Sequence, residues 1–306
     1  MPDTWQINRC ATCKSVYLNP RPDVSSLPAA YADYLTHTPI TDERVLTSSS
    51  PSWGLVRGYL RWRFGLHTSL PTFSAGRWLF SAIEPWRLKL DRFGRHLTRQ
   101  RFPQPGRLLD VGCGNGTFLK LAQAMGWTAF GCDPDPDVIA ICQETGLNAT
   151  VGDIDVFASE HASFDAITLN QVIEHVPDPL ELLRQCKDLL KPGGVIWLGF
   201  PSPAALGLNV FGQAWANLHP PYHFCLPAQH IIRGWLMKAG FAEIQFMRRG
   251  AHASADWAKS NRLEKVFGTH STPLMRGRSG QIVTDLLGSI TSRWGEETAV
   301  IAINGS

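Results

Sequence analysis

The sequence predicts an α/β protein: a doubly wound, mostly parallel sheet of seven strands with an N-terminal helical extension. Three observations predict it. From Pro103 onward, short apolar runs alternate with helix-length amphipathic segments. Glycines and Pro-Gly pairs stand at the junctions, and the first apolar run opens through a glycine-rich turn straight into a helix. Strands that alternate with helices imply parallel pairing, with helices on both faces of the sheet.

Taken in order, the first strand is expected at 107–111 and its helix at 117–125, closed by Gly126. Residues 128–132 form the second strand. Asp135 then caps the next helix, with Pro136 at its first position. A third strand ends before Gly152-Asp153-Ile154, and a fourth covers 164–169. Asp178-Pro179-Leu180-Glu181 starts a helix that buries Leu182, Leu183, Cys186, Leu189 and Leu190 along one face. Pro192-Gly193-Gly194 stops it ahead of a strand at 195–200. A helix at 227–239 and strands at 243–247 and 299–303 complete the sheet.

Ahead of this domain (103–306) lie two other segments. Residues 1–50 are polar and turn-rich, and Asn19-Pro20-Arg21-Pro22 is extended by its prolines. Residues 51–102 carry Leu79, Ile83, Trp86, Leu90, Phe93 and Leu97 at steps of four and three, a helical stripe kinked or begun at Pro85. Basic side chains crowd this segment, only Glu84 and Asp91 oppose them, and tryptophans are interleaved. The working reading is a helical cap over the active site with solvated arginines. The alternative is peripheral contact of 53–102 with an anionic membrane surface.

The chain has 306 residues, 44% hydrophobic and 18% charged, which supports a sizeable core and excludes wholesale disorder. A net charge of +3 gives no argument for nucleic acid. Seven cysteines at no framework spacing speak against a disulfide-stapled secreted protein. The N-terminus lacks a signal-like apolar run, and no stretch of 18 apolar residues occurs. The cytoplasm is therefore the expected compartment, peripheral to the inner membrane face if the alternative for 53–102 holds. Oligomeric state is left open.

The turn after the first strand reads Asp110-Val111-Gly112-Cys113-Gly114-Asn115-Gly116. Glycines there let a ligand approach bare backbone, and in an open α/β sheet ligands bind at the carboxyl ends of strands. The dinucleotide fingerprint needs G-x-G-x-x-G, whereas Thr117 occupies its last position here. Asp110 suits a cationic amino-acid moiety better than a pyrophosphate. Asp133 can accept from two ribose hydroxyls. Asp153 can accept from an adenine amino group while Ile154 packs on the ring.

Together, Asp110–Gly116, Asp133, Gly152-Asp153, the run NQVIEHVPDP from Asn170 to Pro179 and LLKPGG from Leu189 to Gly194 resemble class I S-adenosylmethionine-dependent methyltransferases. The resemblance covers about two-thirds of the chain and implies a Rossmann-like fold with S-adenosylmethionine as cofactor. It implies that Asp110, Gly112, Gly114 and Gly116 surround the methionine end, that Asp133 and Asp153 hold ribose and adenine, and that Asn170 and Gln171 lie near the sulfonium. The EHVPDP element resembles a subgroup acting on quinones, glycans and secondary metabolites. The expected acceptor is thus a small molecule, a glycan or a lipid-linked compound, methylated on oxygen. A nicotinamide oxidoreductase and a non-catalytic cofactor-binding partner subunit are the alternatives.

An alcohol or phenol acceptor must lose a proton, so a base is expected. His175 follows the fourth strand, and His219 and His223 stand in the loop Trp215–Phe224 after the fifth. For each, a structural histidine is the competing reading. Pro220-Pro221-Tyr222 imitates a nucleic-acid amino-methyltransferase motif but stands after the wrong strand. Cys10 and Cys13 resemble half of a zinc ribbon, as found ahead of some related domains. Structural zinc takes four ligands and the first pair is missing, so no metal is assigned. A decayed ribbon, an upstream start and completion by a second chain stay open.

Overall fold

A strand covered on both faces needs apolar side chains on both, and the central runs of this chain supply them. The computed structural model describes residues 4–22, 43–267 and 277–305. Near the N-terminus, β1 (Ile7–Arg9) and β2 (Val16–Leu18) form a small hairpin. The main sheet takes β3 (Arg107–Val111), β4 (Thr128–Asp133), β5 (Asn148–Val151), β6 (Phe164–Asn170), β7 (Leu190–Pro201), β9 (Phe241–Met247) and β10 (Glu297–Asn304). Their order is β5-β4-β3-β6-β7-β10-β9, and β8 (Cys225–Leu226) joins β2 instead. β3 to β7 pair in parallel, while β10 runs antiparallel to both β7 and β9. The chain winds outward from β3 to β5 and returns on the other side of β3 as β6. The seam between β3 and β6 is the topological switch point, where ligands bind in such sheets.

Helices cover both faces. On one, α2 (Pro51–Phe64), α3 (Ala75–Ala82), α4 (Glu84–Asp91), α5 (Thr117–Ala124) and α6 (Pro136–Glu144) share a core with the sheet. There Tyr59, Leu60, Phe64, Leu90, Leu119 and Ile139 pack with Leu108, Ala166, Val195 and Trp197. The short α1 (Arg44–Thr47) adds Val45 to it. On the other face, Leu182 and Leu183 of α7 (Pro179–Leu189) and Ile232 and Leu236 of α9 (Gln229–Lys238) pack on Leu109, Ile167 and Leu198. Alternation of Leu108 and Leu109 between the two cores is the period-two signature of a strand. Asp135 and Asp178 cap α6 and α7 as expected: Asp135 accepts from the Asp137 N–H, and Asp178 accepts from those of Leu180 and Glu181.

Several details differ from the sequence expectation. The stripe from Leu79 to Leu97 is broken at Ile83 and begins again with Pro85 in the first turn of α4, one of the two readings, but Phe93 and Leu97 lie beyond that helix. Residues 51–102 form a layer on the sheet and share its core, where a cap was expected. Their arginines are not all solvated: Arg57 is buried and donates to the carbonyls of Val45, Ser48 and Pro71. Pro192-Gly193-Gly194 lie inside β7, because the strand already pairs with Phe164 at Leu190. Among the described residues, four helices were not anticipated: α1, α8 (Leu206–Phe211), α10 (Ser254–Phe267) and α11 (Arg278–Ile290). Residues 23–42, part of the expected extended segment, lie outside the described residues. Among the described residues, no helix is long and apolar enough to cross a membrane.

The extension is locked to the seam by a buried ion pair. Arg95, in a left-handed conformation at φ 46°, passes its guanidinium to Asp110 and, at 2.5 Å, to Thr168 Oγ1. Thr168, the register partner of Asp110 across the seam, donates to Asp110 Oδ1 at 2.9 Å. Removing one partner of a buried pair leaves the other charge uncompensated. Arg95→Ala is therefore expected to destabilise the fold by about 3–5 kcal/mol in urea unfolding. A change below about 1 kcal/mol would show the pair to be dispensable.

Candidate active site

The turn after β3 folds over the end of β4, with the N–H groups of Gly112 and Cys113 donating to the Cys132 carbonyl at 2.9 and 3.0 Å. At Gly112, φ is +69° and a Cβ would stand 2.5 Å from Val172 Cγ2. Only glycine permits that contact. At Gly114, φ is +51° and a Cβ would meet nothing within 4 Å. The first glycine is required by a neighbour, and the second leaves bare backbone facing open space, as a bound ligand requires. Gly116 takes the same left-handed conformation just before α5.

Asp133 holds this turn. Its Oδ2 accepts from Gly114 N–H at 2.9 Å and its Oδ1 from Asp135 N–H at 3.1 Å. Burial raises its pKa, and these hydrogen bonds oppose the rise. Each oxygen keeps a lone pair for a ribose hydroxyl. Asp153 is exposed at the start of the short turn Ile154–Phe157, and its carboxylate does not cap it. Ile154, expected against an adenine ring, is 3% exposed and packs in the core with Leu109, Val111 and Cys132. It therefore offers little surface to a ring.

Asp110 also differs from expectation. Its carboxylate is 1% exposed and engaged by Arg95 and Thr168, and Oδ2 alone is left without a partner. Its main work is to join the extension to the seam. Asn170 is half-buried at the end of β6. Gln171 follows at φ 59° and donates to Glu297 Oε1 at 3.2 Å, and Glu297 pairs with the buried Arg249.

The three histidines come together. The rings of His175 and His223 are 4.7 Å apart in an edge-to-face arrangement, and those of His219 and His223 are 5.3 Å apart. His223 is buried, with Nδ1 2.8 Å from the Asn217 carbonyl, which leaves Nε2 as an acceptor. His219 is the exposed member. Glu174 completes the group. Its side chain is fully buried, and neither carboxyl oxygen has a hydrogen-bond partner. Ligand atoms of Glu174, His175 and His223 lie within 4.8 Å of one another, a set able to hold a metal ion. Burial pushes Glu174 up to about 8 and His175 down to about 3, and it also lowers His223.

Backbone pairing sets these side chains in place. The N–H of Phe224 donates to the Glu174 carbonyl at 2.7 Å, while the Phe224 carbonyl accepts from Leu18 N–H at 3.0 Å. The N-terminal hairpin thus buttresses the histidine loop. Cys13 N–H donates to Cys10 Sγ at 3.4 Å, yet among the described residues no further metal-type ligands converge on that pair. Sequence reasoning missed Arg95, Arg249, Glu297 and the role of Glu174. Only Glu174 carried a signal, a carboxylate inside the apolar run Val172–Val176.

Comparison with known proteins places residues 81–245, more than half of the chain, in a family described as a methyltransferase domain. A ubiquinone biosynthesis O-methyltransferase of Xanthomonas axonopodis pv. citri is 34% identical over 174 residues, covering 52% of this chain and 70% of that protein. Its namesake in Xanthomonas oryzae pv. oryzae is 35% identical over 148 residues, covering 44% and 61%. Among solved structures, a SAM-dependent methyltransferase from Archaeoglobus fulgidus superposes with a TM-score of 0.49 at 21% identity, covering 73% of this chain and 94% of that one.

Gly112→Ala adds about 1–2 kcal/mol of backbone strain and a clash with Val172. Asp133→Ala leaves two backbone donors unmet, at about 1–3 kcal/mol each. Each substitution is expected to weaken S-adenosylhomocysteine binding at least about tenfold in calorimetry. Unchanged affinity in both would remove the turn from the binding site.

Proposed function

The chain belongs to the family of methyltransferase domains, and on that premise we propose that it carries the methyl group of S-adenosylmethionine to a hydroxyl oxygen of a small, ring-bearing acceptor. The observation that carries this is a contact across the seam. Val172 touches the glycine turn, and Glu174 and His175 follow it directly, so the donor cradle and the polar cluster share one short segment. The likeness to ubiquinone biosynthesis O-methyltransferases supports an acceptor of that class. Family membership disposes of the nicotinamide alternative.

In the reaction the carbon–sulfur bond to the methyl group breaks as a carbon–oxygen bond forms in line. The sulfur leaves as a neutral thioether, and the hydroxyl proton goes to a base. The protein's share is alignment and exclusion of water. A phenol begins near a pKa of ~10, so assistance at its proton matters.

Two roles compete for the histidines. As a general base, His175, His219 or His223 takes the proton. As ligands, His175 and His223 hold a divalent cation with Glu174. Two observations favour the ligand role. Glu174 is a buried carboxyl without partners, and an imidazole pushed down to about 3 is a poor proton acceptor that still offers a lone pair. A cation bound there would lower the pKa of a hydroxyl that reaches it.

Labelled S-adenosylmethionine incubated with the protein and ring-hydroxyl acceptors should yield an O-methyl product. Chelation, or Glu174→Gln, should reduce kcat at least about tenfold without changing donor affinity, and added Zn²⁺ or Mn²⁺ should restore only the chelated wild type. Full turnover after chelation returns the histidines to the base role, with a loss of about 10²–10⁴ expected on replacing one of them by alanine. Donor binding with no acceptor labelled would identify a non-catalytic binding subunit.

A further inference from the structure

α11 is amphipathic in the reverse sense of a packed surface helix. Its buried side carries Gly280, Thr284, Gly288 and Ser289. Its large apolar residues point outward: Ile282, Leu286 and Ile290, at i, i+4 and i+8, are 52%, 51% and 73% exposed. The small side lets the helix lie close on the chain, where the Gly288 carbonyl accepts from the N–H groups of Arg249 and Gly250. An apolar stripe facing solvent is a docking surface unless something covers it.

The stripe is part of a wider face. α11 packs against α4, and Arg248 ties the two by donating to the Ser289 carbonyl at 2.9 Å and to Glu84 Oε1 at 2.7 Å. α4 adds Trp86 and α3 adds Trp78, which is 70% exposed. The Arg77 guanidinium lies 4.9 Å from the Trp62 ring and 4.8 Å from that of Trp78. Trp294 follows α11, also half exposed.

Charge decides what this face meets. Arg77 of α3, Lys89 of α4, Arg278 at the start of α11 and Arg293 just after it are exposed. The acids of the same helices are engaged within the protein. Glu84 is bound by Arg87 and Arg248, Asp91 is buried against Tyr59, Arg63 and Arg87, and Asp285 accepts from the His252 and Ala253 N–H groups. A second copy of the face would set four basic side chains against four, with one half-exposed carboxylate, Glu84, already shared between Arg87 and Arg248. Anionic headgroups would pair with the basic rim while tryptophans and aliphatic residues enter the boundary below.

We propose that α11, together with Trp78 of α3 and Trp86 of α4, seats the protein on an anionic lipid surface, with the helix lying in the plane of the interface. This is independent of the methyl-transfer reading. The test is flotation of the full chain with phosphatidylcholine vesicles, with and without phosphatidylglycerol, at low and high salt. Binding is expected only with phosphatidylglycerol, weakened by salt. It should fall about fivefold on Arg77→Gln or Arg293→Gln, and more than about tenfold on Leu286→Ser with Ile290→Ser. Circular dichroism should show every variant folded, since the altered side chains are exposed. Failure to bind phosphatidylglycerol vesicles at low salt overturns the proposal. So does binding that none of the substitutions changes, or a dimer in solution that Leu286→Ser and Ile290→Ser dissolve.

Discussion

The Arg95–Asp110 pair, in which a guanidinium meets a carboxylate of 1% exposure, is the interaction on which the rest of this structure depends. Asp110 is the last but one residue of β3, and Thr168, which also binds it, is its partner on β6. The pair thus fixes the N-terminal helical layer to the seam where the sheet reverses its winding. Immediately above, the glycine turn and the segment after β6 are pressed together at Gly112 and Val172. Glu174 and His175 follow Val172 by two and three residues, so the turn and the polar cluster meet on one short segment.

The buried carboxyl groups of the molecule are handled in different ways, and the contrast is informative. Glu296 accepts from the Gly207 N–H and the Trp215 indole, which ties α8 and the following loop to the start of β10. Asp133 accepts two backbone donors. Glu174 is fully buried and accepts from none. Desolvating a polar group without compensation is costly, and burial accordingly pushes Glu174 up to about 8, where its carboxyl holds a proton at neutral pH. The same principle in reverse describes α11, whose apolar side chains remain in water although the helix has a protein surface beneath it.

Much of this was legible in the sequence because local rules and global fold agreed. Capping by Asp135 and Asp178, the apolar runs of β3, β6 and β7, and the glycine turn each reflect chemistry confined to a few neighbouring residues. What was missed depends on distant partners. Arg95 looked like one more arginine in a basic stretch, and nothing near it announces Asp110 or Thr168. Pro85 announced the restart of the stripe from Leu79 to Leu97, but periodicity does not show that Phe93 and Leu97 lie beyond the helix. α11 has the helical spacing of Ile282, Leu286 and Ile290, but spacing alone does not show that the small residues face inward and the apolar ones outward. Among the site residues, the three histidines were placed by their position after strands, whereas the purpose of Glu174 appears only when its burial is known.

The most direct measurement is the position of the spent donor in a crystal structure with S-adenosylhomocysteine. The account predicts the amino-acid end over the backbone of Gly112 and Gly114, the ribose hydroxyls on Asp133, and the sulfur turned toward the segment from Gln171 to His175. A ligand lodged elsewhere, or one that leaves Asp133 untouched, would contradict it.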